Sequence, residues 1–375
     1  MSRPRLVVDL LYLTGKRGGT ETYARELVTR LPALLPDVDL LALTNRTADT
    51  SVGQWFPGPT RRLPVDGENR ALWAAAETFL VERAARRAGA DLLWCPANFG
   101  PRARRVPLAL SVHDVIAEDF PNPEVSVLTQ HVTRWIIRRA AASASTVLTI
   151  SEDSAAAITR ALAVPSGRIV VAPNGHAAPL DVDDPDAELT ALGVPSGRPL
   201  VLSTGNRMPH KNFPTLVRAV SAIPADRRPL LAITGSHGED PLAPLVAELG
   251  VQDDVLLLGW VTRAQLEALY RRAAVYVCPS LVEGFGLPVV DAMARGCAVV
   301  ASDVGALREV GADAARYADP RDPAAFAAQI EDLLADDDAR VRLQADGLAR
   351  AATFTWDGAA RTVAAALGRT LTLRT

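Results

Sequence analysis

The stretch Pro279-Ser280-Leu281-Val282-Glu283-Gly284-Phe285-Gly286-Leu287-Pro288-Val289-Val290-Asp291 decides how the chain reads. It follows an apolar run, Ala274-Val275-Tyr276-Val277-Cys278, which predicts a buried strand. Beyond two glycines a helix is expected. Pro288 suits a first helical position, where a missing N–H costs nothing, and Gly296 suits the residue past the helix end. Glu283 then stands in a glycine-flanked loop at a strand end, and Asp291 on the first turn of the helix. Free N–H groups at a helix start beside such a loop receive an anion. Acids in the same place suggest a ligand with both phosphates and hydroxyls, although the macrodipole alone also favours acids there.

Outward from this stretch, strands alternate with helices. In the second half strands are expected at 199–203, 229–234, 255–258, 274–278 and 298–301. Helices are expected between them and at 323–335. In the first half strands are expected at 5–11, 39–43, 91–95, 107–112, 146–150 and 168–172. Residues 177–197 break the alternation with three prolines and a cluster of acids. This reads as an α/β chain of two doubly wound parallel-sheet domains, residues 1–178 and 198–354, joined by a connection at 179–197. At 375 residues the chain is longer than one core usually grows. Ligands of such sheets sit at the carboxyl ends of strands, so the active site is expected in the cleft between the domains.

Bulk composition narrows the function classes. Hydrophobic residues make up 49% and charged residues 22%, ordinary for a soluble chain. No apolar run approaches a bilayer span, and no signal-peptide pattern precedes the first strand. Cys95, Cys278 and Cys297 have neither paired nor metal-ligand spacing, so a reducing, cytoplasmic compartment is expected. The histidines 113, 131, 176, 210 and 237 form no ligand cluster, and no metal is expected. Net charge is −3, spread as +4 over residues 1–180 and −7 over the rest. Basic segments at 102–105 and 134–139 are not interleaved with stacking aromatics, so nucleic acid is not an expected partner.

Three loops carry candidate chemistry. Ser203-Thr204-Gly205-Asn206-Arg207-Met208-Pro209-His210-Lys211-Asn212 runs from a strand to a helix that Asn212 can cap. Arg207 and Lys211 are expected to converge at that helix start, an arrangement suited to a diphosphate. Lys16 and Lys211 are the only lysines among 40 basic residues. Gly18-Gly19-Thr20 follows the first strand, with Thr20 a natural N-cap; it is neither a Walker A loop nor a Gly-x-Gly-x-x-Gly turn. His113-Asp114 ends a strand, where a histidine can hydrogen-bond a sugar hydroxyl or exchange a proton, or simply pack.

With these motifs in order, the chain resembles the retaining glycosyltransferases of the GT-B fold, in the large fourth family of glycogen-synthase-like and mannosyltransferase-like enzymes. The resemblance runs from Gly18-Gly19-Thr20-Glu21 through His113-Asp114, Thr149-Ile150-Ser151-Glu152 and Pro173-Asn174-Gly175. It continues through the 205–212 loop and Glu283–Pro288 to Phe354-Thr355-Trp356. That last motif resembles the start of a final helix, about 355–375, that crosses back onto the first domain.

The resemblance implies roles. Arg207 and Lys211 hold the donor diphosphate in place of a metal, and no cofactor is implied beyond a nucleotide-diphosphate sugar as co-substrate. Gly18, Gly19, Gly205 and Asn206 lie near the phosphates. Glu283 contacts the transferred sugar, and Gly284, Phe285, Gly286 and Leu287 offer backbone N–H groups. Asp291 binds the ribose, His113 the donor sugar, and the backbone of Trp260 and Val261 the base. The family usually has Glu where this chain has Asp291, one methylene shorter.

The implied reaction moves a hexose, with retention, to a hydroxyl of a glycan, lipid-linked or small-molecule acceptor. The 205–212 loop leans toward a GDP-sugar over a UDP- or dTDP-sugar. A sugar-nucleotide epimerase of the same fold and a non-catalytic nucleotide-sugar-binding subunit are the alternatives. Residues 134–139 could also rest on the inner face of a membrane with Trp135 and Ile136 dipping in, against the alternative that this helix packs its apolar face on its own sheet.

Overall fold

The computed structural model describes residues 3–15, 18–68, 70–102, 105–121 and 125–372. Lys16 and the central Ala103-Arg104 of one basic segment lie outside them. The chain divides into two compact units, residues 1–175 with 355–375, and residues 176–354.

The first unit is built on a parallel sheet of β1 (Arg5–Leu10), β2 (Asp39–Thr44), β3 (Thr60–Arg62), β4 (Leu92–Cys95), β5 (Leu108–Ser111), β6 (Thr146–Thr149) and β7 (Ile169–Val171). Their order across the sheet is β3-β2-β1-β4-β5-β6-β7. The second unit holds β8 (Leu200–Thr204), β9 (Leu230–Thr234), β10 (Val255–Leu257), β11 (Ala273–Cys278), β12 (Ala298–Ser302) and β13 (Arg316–Ala318), in the order β10-β9-β8-β11-β12-β13. The candidate residues are carried by helices α1 (Gly19–Val28), α2 (Val127–Ser143), α3 (Pro185–Ala191), α4 (Phe213–Ala222), α5 (Arg263–Arg272), α6 (Leu287–Met293) and α7 (Trp356–Thr372).

The central strands are apolar along nearly their whole length, as in Leu92-Leu93-Trp94-Cys95 and Ala298-Val299-Val300-Ala301, because helices cover both faces of a parallel sheet. The edge strands β3 and β13 escaped the sequence reading. Each is three residues long, and Thr60-Arg61-Arg62 has no apolar signature because an edge faces water. Strand order reverses between β1 and β4 in one sheet and between β8 and β11 in the other, although each pair runs parallel. Loops leaving such a pair of strands diverge and open a crevice at their carboxyl ends.

Local capping departs from expectation in three places. Gly18, at φ 54°, is the residue that caps α1, and Thr20 lies inside the helix. Asn212 sits at the N-cap position of α4, but its side chain makes no cap bond. The expected connection at 179–197 contains α3, whose Ala187 N–H donates to Asp184 at 2.9 Å and which packs on α5 within the second unit. Helix α7 belongs to the first unit and packs on α1 and on the sheet. Gly175 lies so close to Trp356 that a Cβ there would collide with its backbone.

Candidate functional site

In the second unit the loops leaving β8 and β11 are stitched together. Leu281 N–H donates to the His210 carbonyl at 2.7 Å. The Asn212 side-chain amide donates to the Pro279 carbonyl at 2.9 Å and to the Pro320 carbonyl at 2.7 Å. So Asn212, freed from capping, fastens one loop to the two beside it, and its φ of 56° turns the chain for that purpose.

This stitching sets Lys211 against Glu283. The Lys211 ammonium donates to Glu283 Oε1 at 2.7 Å, and Ser280 Oγ donates to the same oxygen at 2.6 Å. Glu283 is 8% exposed and the Lys211 side chain 17%. Burial alone would raise the Glu283 carboxyl. The Lys211 charge and the bonds from Lys211 and Ser280 outweigh it and hold the group below the usual carboxylate range. Cys278, at the end of β11, is pushed up to about 12 by burial and then by the Glu283 charge, so it stays a thiol and not a nucleophile. Gly286, at φ 100°, caps α6 where a Cβ would run into Leu307. Phe285 beside it is buried edge-on against Phe354 at 5.5 Å.

Arg207 takes another direction. Its guanidinium donates to Asp240 from Nε at 3.1 Å and from Nη2 at 2.7 Å. Nη1 donates to the Thr234 and Gly205 carbonyls at 2.8 and 3.0 Å. The guanidinium lies over the Phe213 ring at the start of α4, 5.0 Å from its centre, with its fork filled by Asp240 and by carbonyls at the end of β9. Burial would raise Asp240; the bonds from Arg207 and the Leu242 N–H lower it below the usual range. Gly205 accompanies this packing, because a Cβ on neighbouring Gly235 would press on the Gly205 carbonyl. Asn206 accepts from Met208 N–H at 3.3 Å, closing the loop.

Asp291 falls in the second turn of α6, since the helix begins at Leu287. Its carboxylate accepts from Ala177 N–H at 3.1 Å and lies 3.6 Å from Arg295. Burial pushes it up, and Arg295 offsets only part of that. Trp260 and Val261 follow β10, and Thr262 caps the next helix with Gln265 in a reciprocal box. The Trp260 ring is largely exposed and stacks on His237 at 5.2 Å and 14°.

In the first unit His113 is buried two residues past β5. Its Nε2 lies 2.9 Å from the Pro96 carbonyl, which can only accept, so the proton sits on Nε2 and Nδ1 is the acceptor nitrogen. Asn98 accepts from the His113 N–H at 2.7 Å, and Tyr23 meets the ring edge-on at 4.6 Å. Burial lowers the His113 pKa, against the smaller effects of Pro96 and Asp114, so the ring is neutral near neutral pH. Gly18 and Gly19 open α1, and a Cβ on either would meet nothing.

Three residues of the site have no role in the sequence reading. Ser280 lies inside the opening stretch and was readable as a strand-end hydroxyl three residues before the acid. Asp240 and His237 follow β9, as an acid and a ring at the carboxyl edge of a parallel sheet.

Residues 186–349 match the model of glycosyl transferases group 1, and residues 18–175 that of a glycosyl transferase 4-like domain. The chain belongs to this glycosyltransferase family. Among the chain's relatives, the O-antigen chain mannosyltransferase B of Escherichia coli is 40% identical over 154 residues, 40% of either chain. The MMP alpha-(1->4)-mannosyltransferase of Mycolicibacterium hassiacum is 33% identical over 276 residues, 69% of this chain and 64% of that one. The match spans less than two thirds of either relative. Sucrose-phosphate synthase from Thermosynechococcus elongatus superposes with a TM-score of 0.76 at 22% identity, over the whole of both chains. That likeness and the two parallel sheets show the GT-B fold.

Proposed function

We propose that the protein is a retaining hexosyltransferase that takes its sugar from a nucleotide diphosphate, a GDP-sugar before a UDP- or dTDP-sugar. The acceptor is a hydroxyl of a glycan, lipid-linked or small molecule. The observation that carries this reading is the buried Lys211–Glu283 pair at the carboxyl ends of β8 and β11. A lysine held where the strand order reverses, beside a carboxylate kept ionised, can meet a diphosphate on one side and sugar hydroxyls on the other.

In the reaction the bond between C1 and the diphosphate oxygen breaks, and charge grows on the departing phosphate. The Lys211 ammonium stabilises that charge, which supports a reaction independent of metal. Glu283, held by Ser280, accepts from a sugar hydroxyl. The acceptor oxygen bonds to C1 on the face the phosphate leaves, and its proton passes to the phosphate oxygen. Retention follows without an enzyme nucleophile, consistent with a protonated Cys278.

Arg207 acts by holding the 205–212 loop against Asp240, so that Lys211 is presented. Gly205, Asn206 and the Gly284–Leu287 backbone line the phosphates, Asp291 the ribose, and Trp260 with Val261 the base. In the first unit, His113 offers Nδ1 to a sugar hydroxyl, and Gly18 and Gly19 allow close approach of a phosphate. The mannosyltransferase relatives support a mannose-type donor. Three free, buried cysteines support a reducing, cytoplasmic setting.

The test is incubation with GDP-, UDP- and dTDP-hexoses and a panel of sugar acceptors, with and without chelator. Transfer that survives chelation and gives a product of unchanged anomeric configuration by NMR supports the reading. Inverted configuration, or conversion of the donor without an acceptor as an epimerase would give, overturns it.

A further inference from the structure

Helix α2 in the first unit is the most apolar exposed surface among the described residues. Of ten large exposed hydrophobic side chains there, four lie on this helix: Val127 at 67%, Leu128 at 75%, Val132 at 45% and Trp135 at 49%. Leu128, Val132 and Trp135 are spaced four and three apart, so they form one stripe. Ile136 is buried with Ala140 and Ala141 on the adjoining face, as the alternative of a helix packed on its own unit expects, and does not accompany Trp135 outward. The helix thus packs one apolar face on its own unit and keeps a second one in water, which a helix needs only if something covers it.

Charge says what covers it. Residues 127–143 contain Arg134, Arg138, Arg139 and His131 and no acid. Arg139 lies over the Trp135 ring at 4.2 Å, fixing ring and cation side by side. Arg134 is paired with Glu118 at 2.8 Å, while Arg138 lies 3.7 Å from the same acid and is half-exposed. Glu118 cannot neutralise three arginines. A second copy docked symmetrically on this face would set arginines against arginines. An acidic surface with an apolar layer beneath it satisfies both components at once. No described helix, this one of 17 residues included, is long and apolar enough to cross a membrane.

We propose that α2 is a docking helix for an anionic lipid surface, lying in its plane with Leu128, Val132 and Trp135 in the acyl boundary and Arg138 and Arg139 among the headgroups. The proposal is independent of the transferase reading, because it concerns residues that bind no donor. The two readouts are separable.

The test uses the whole protein with phosphatidylcholine vesicles, alone or with about 30 mol% phosphatidylglycerol, at about 0.02 M and about 0.5 M salt. Cosedimentation is expected with the anionic vesicles at low salt, falling at least about tenfold on neutral vesicles or at high salt. The double substitution Leu128→Ser with Trp135→Ser should reduce binding about tenfold, as should Arg138→Gln with Arg139→Gln. Both variants replace exposed side chains, and unchanged thermal melting identifies them as folded. Equal binding to neutral and anionic vesicles, no binding to either, or wild-type binding by both double variants overturns the proposal. So does a concentration-dependent dimer in sedimentation velocity that the Leu128→Ser, Trp135→Ser variant abolishes, since the stripe would then serve a second copy.

Discussion

The two places where strand order reverses, β1 with β4 and β8 with β11, share a buried carboxyl beside a cysteine, and among the described residues the second adds a lysine. Each ends its later strand in a cysteine followed by proline, Cys95-Pro96 and Cys278-Pro279. Each brings a buried carboxyl to that cysteine: Cys95 Sγ donates to Asp9 at 3.6 Å, and Cys278 Sγ lies 3.9 Å from Glu283. In the second unit a lysine is added. Burial pushes Asp9 up, and bonds with Glu77, the Leu11 N–H and Cys95 only partly offset it. Glu283 is just as enclosed and ends below its usual range because Lys211 stands beside it. A core carboxyl with no cation drifts toward its neutral form. Keeping one ionised in the same place takes a part-buried ammonium, whose desolvation is costly, and such a pair is weak evidence for stability. Among the described residues such a cation stands beside the carboxyl only in the second unit, which points to function there.

The largest effect that breaks this comparison is on transfer. Lys211→Ala or Glu283→Ala should lower transfer by at least about 10²–10³-fold, the loss expected on removing a charge-stabilising group. Circular dichroism should show the fold retained. Full transfer by either variant contradicts the assignment. Next, Arg207→Ala takes the arginine from the part-buried Asp240, leaving it the Leu242 N–H, which should cost about 1.5–2 kcal/mol in chemical unfolding. A change under about 0.5 kcal/mol would show that Asp240 and the carbonyls do not depend on the arginine.

The pH responses of the two carboxyls should have opposite signs. Glu283 binds its proton less tightly folded than unfolded, so its contribution is full above the ordinary carboxylate pKa of about 4.3 and fades as pH falls below it. Asp9 binds its proton more tightly when folded, so its ionisation erodes stability as pH rises from about 3.9 through its raised value. Asp9→Asn should therefore be neutral or stabilising by about 1 kcal/mol at neutral pH, and Glu283→Gln destabilising by about 2–3 kcal/mol. Urea melts from pH 3 to 8, near the range where both groups titrate, check this; like signs for the two variants sink the comparison. The smallest effect is expected at Asp291. Replacement by Asn keeps an oxygen for Ala177 N–H and should weaken nucleotide binding by no more than about tenfold, read by thermal shift.

Much of this was readable in the chain. The alternation of apolar strands with helices gave both sheets, because a strand buried on two faces has a continuous apolar signature. That Glu283 and the 205–212 loop lie at one edge of a sheet followed from placing both at strand ends. What stayed hidden is contact across long separations. Nothing local marks Asp240 as the partner of Arg207, 33 residues away. Asn212 looks like a helix cap until Pro279 and Pro320 are brought to its amide. The short edges β3 and β13 lack apolar periodicity, and Ile136 and Trp135 are equivalent in hydrophobicity but not in which face of α2 they occupy. Those differences arise from packing rather than from propensity.

Titration calorimetry of GDP, UDP and dTDP against the wild-type chain and Lys211→Ala addresses the second unit directly. At least one diphosphate should bind the wild type, with affinity falling about tenfold or more when the ammonium is removed. Equal affinity in the two proteins, or no binding by the wild type, would contradict a diphosphate site at the β8–β11 reversal.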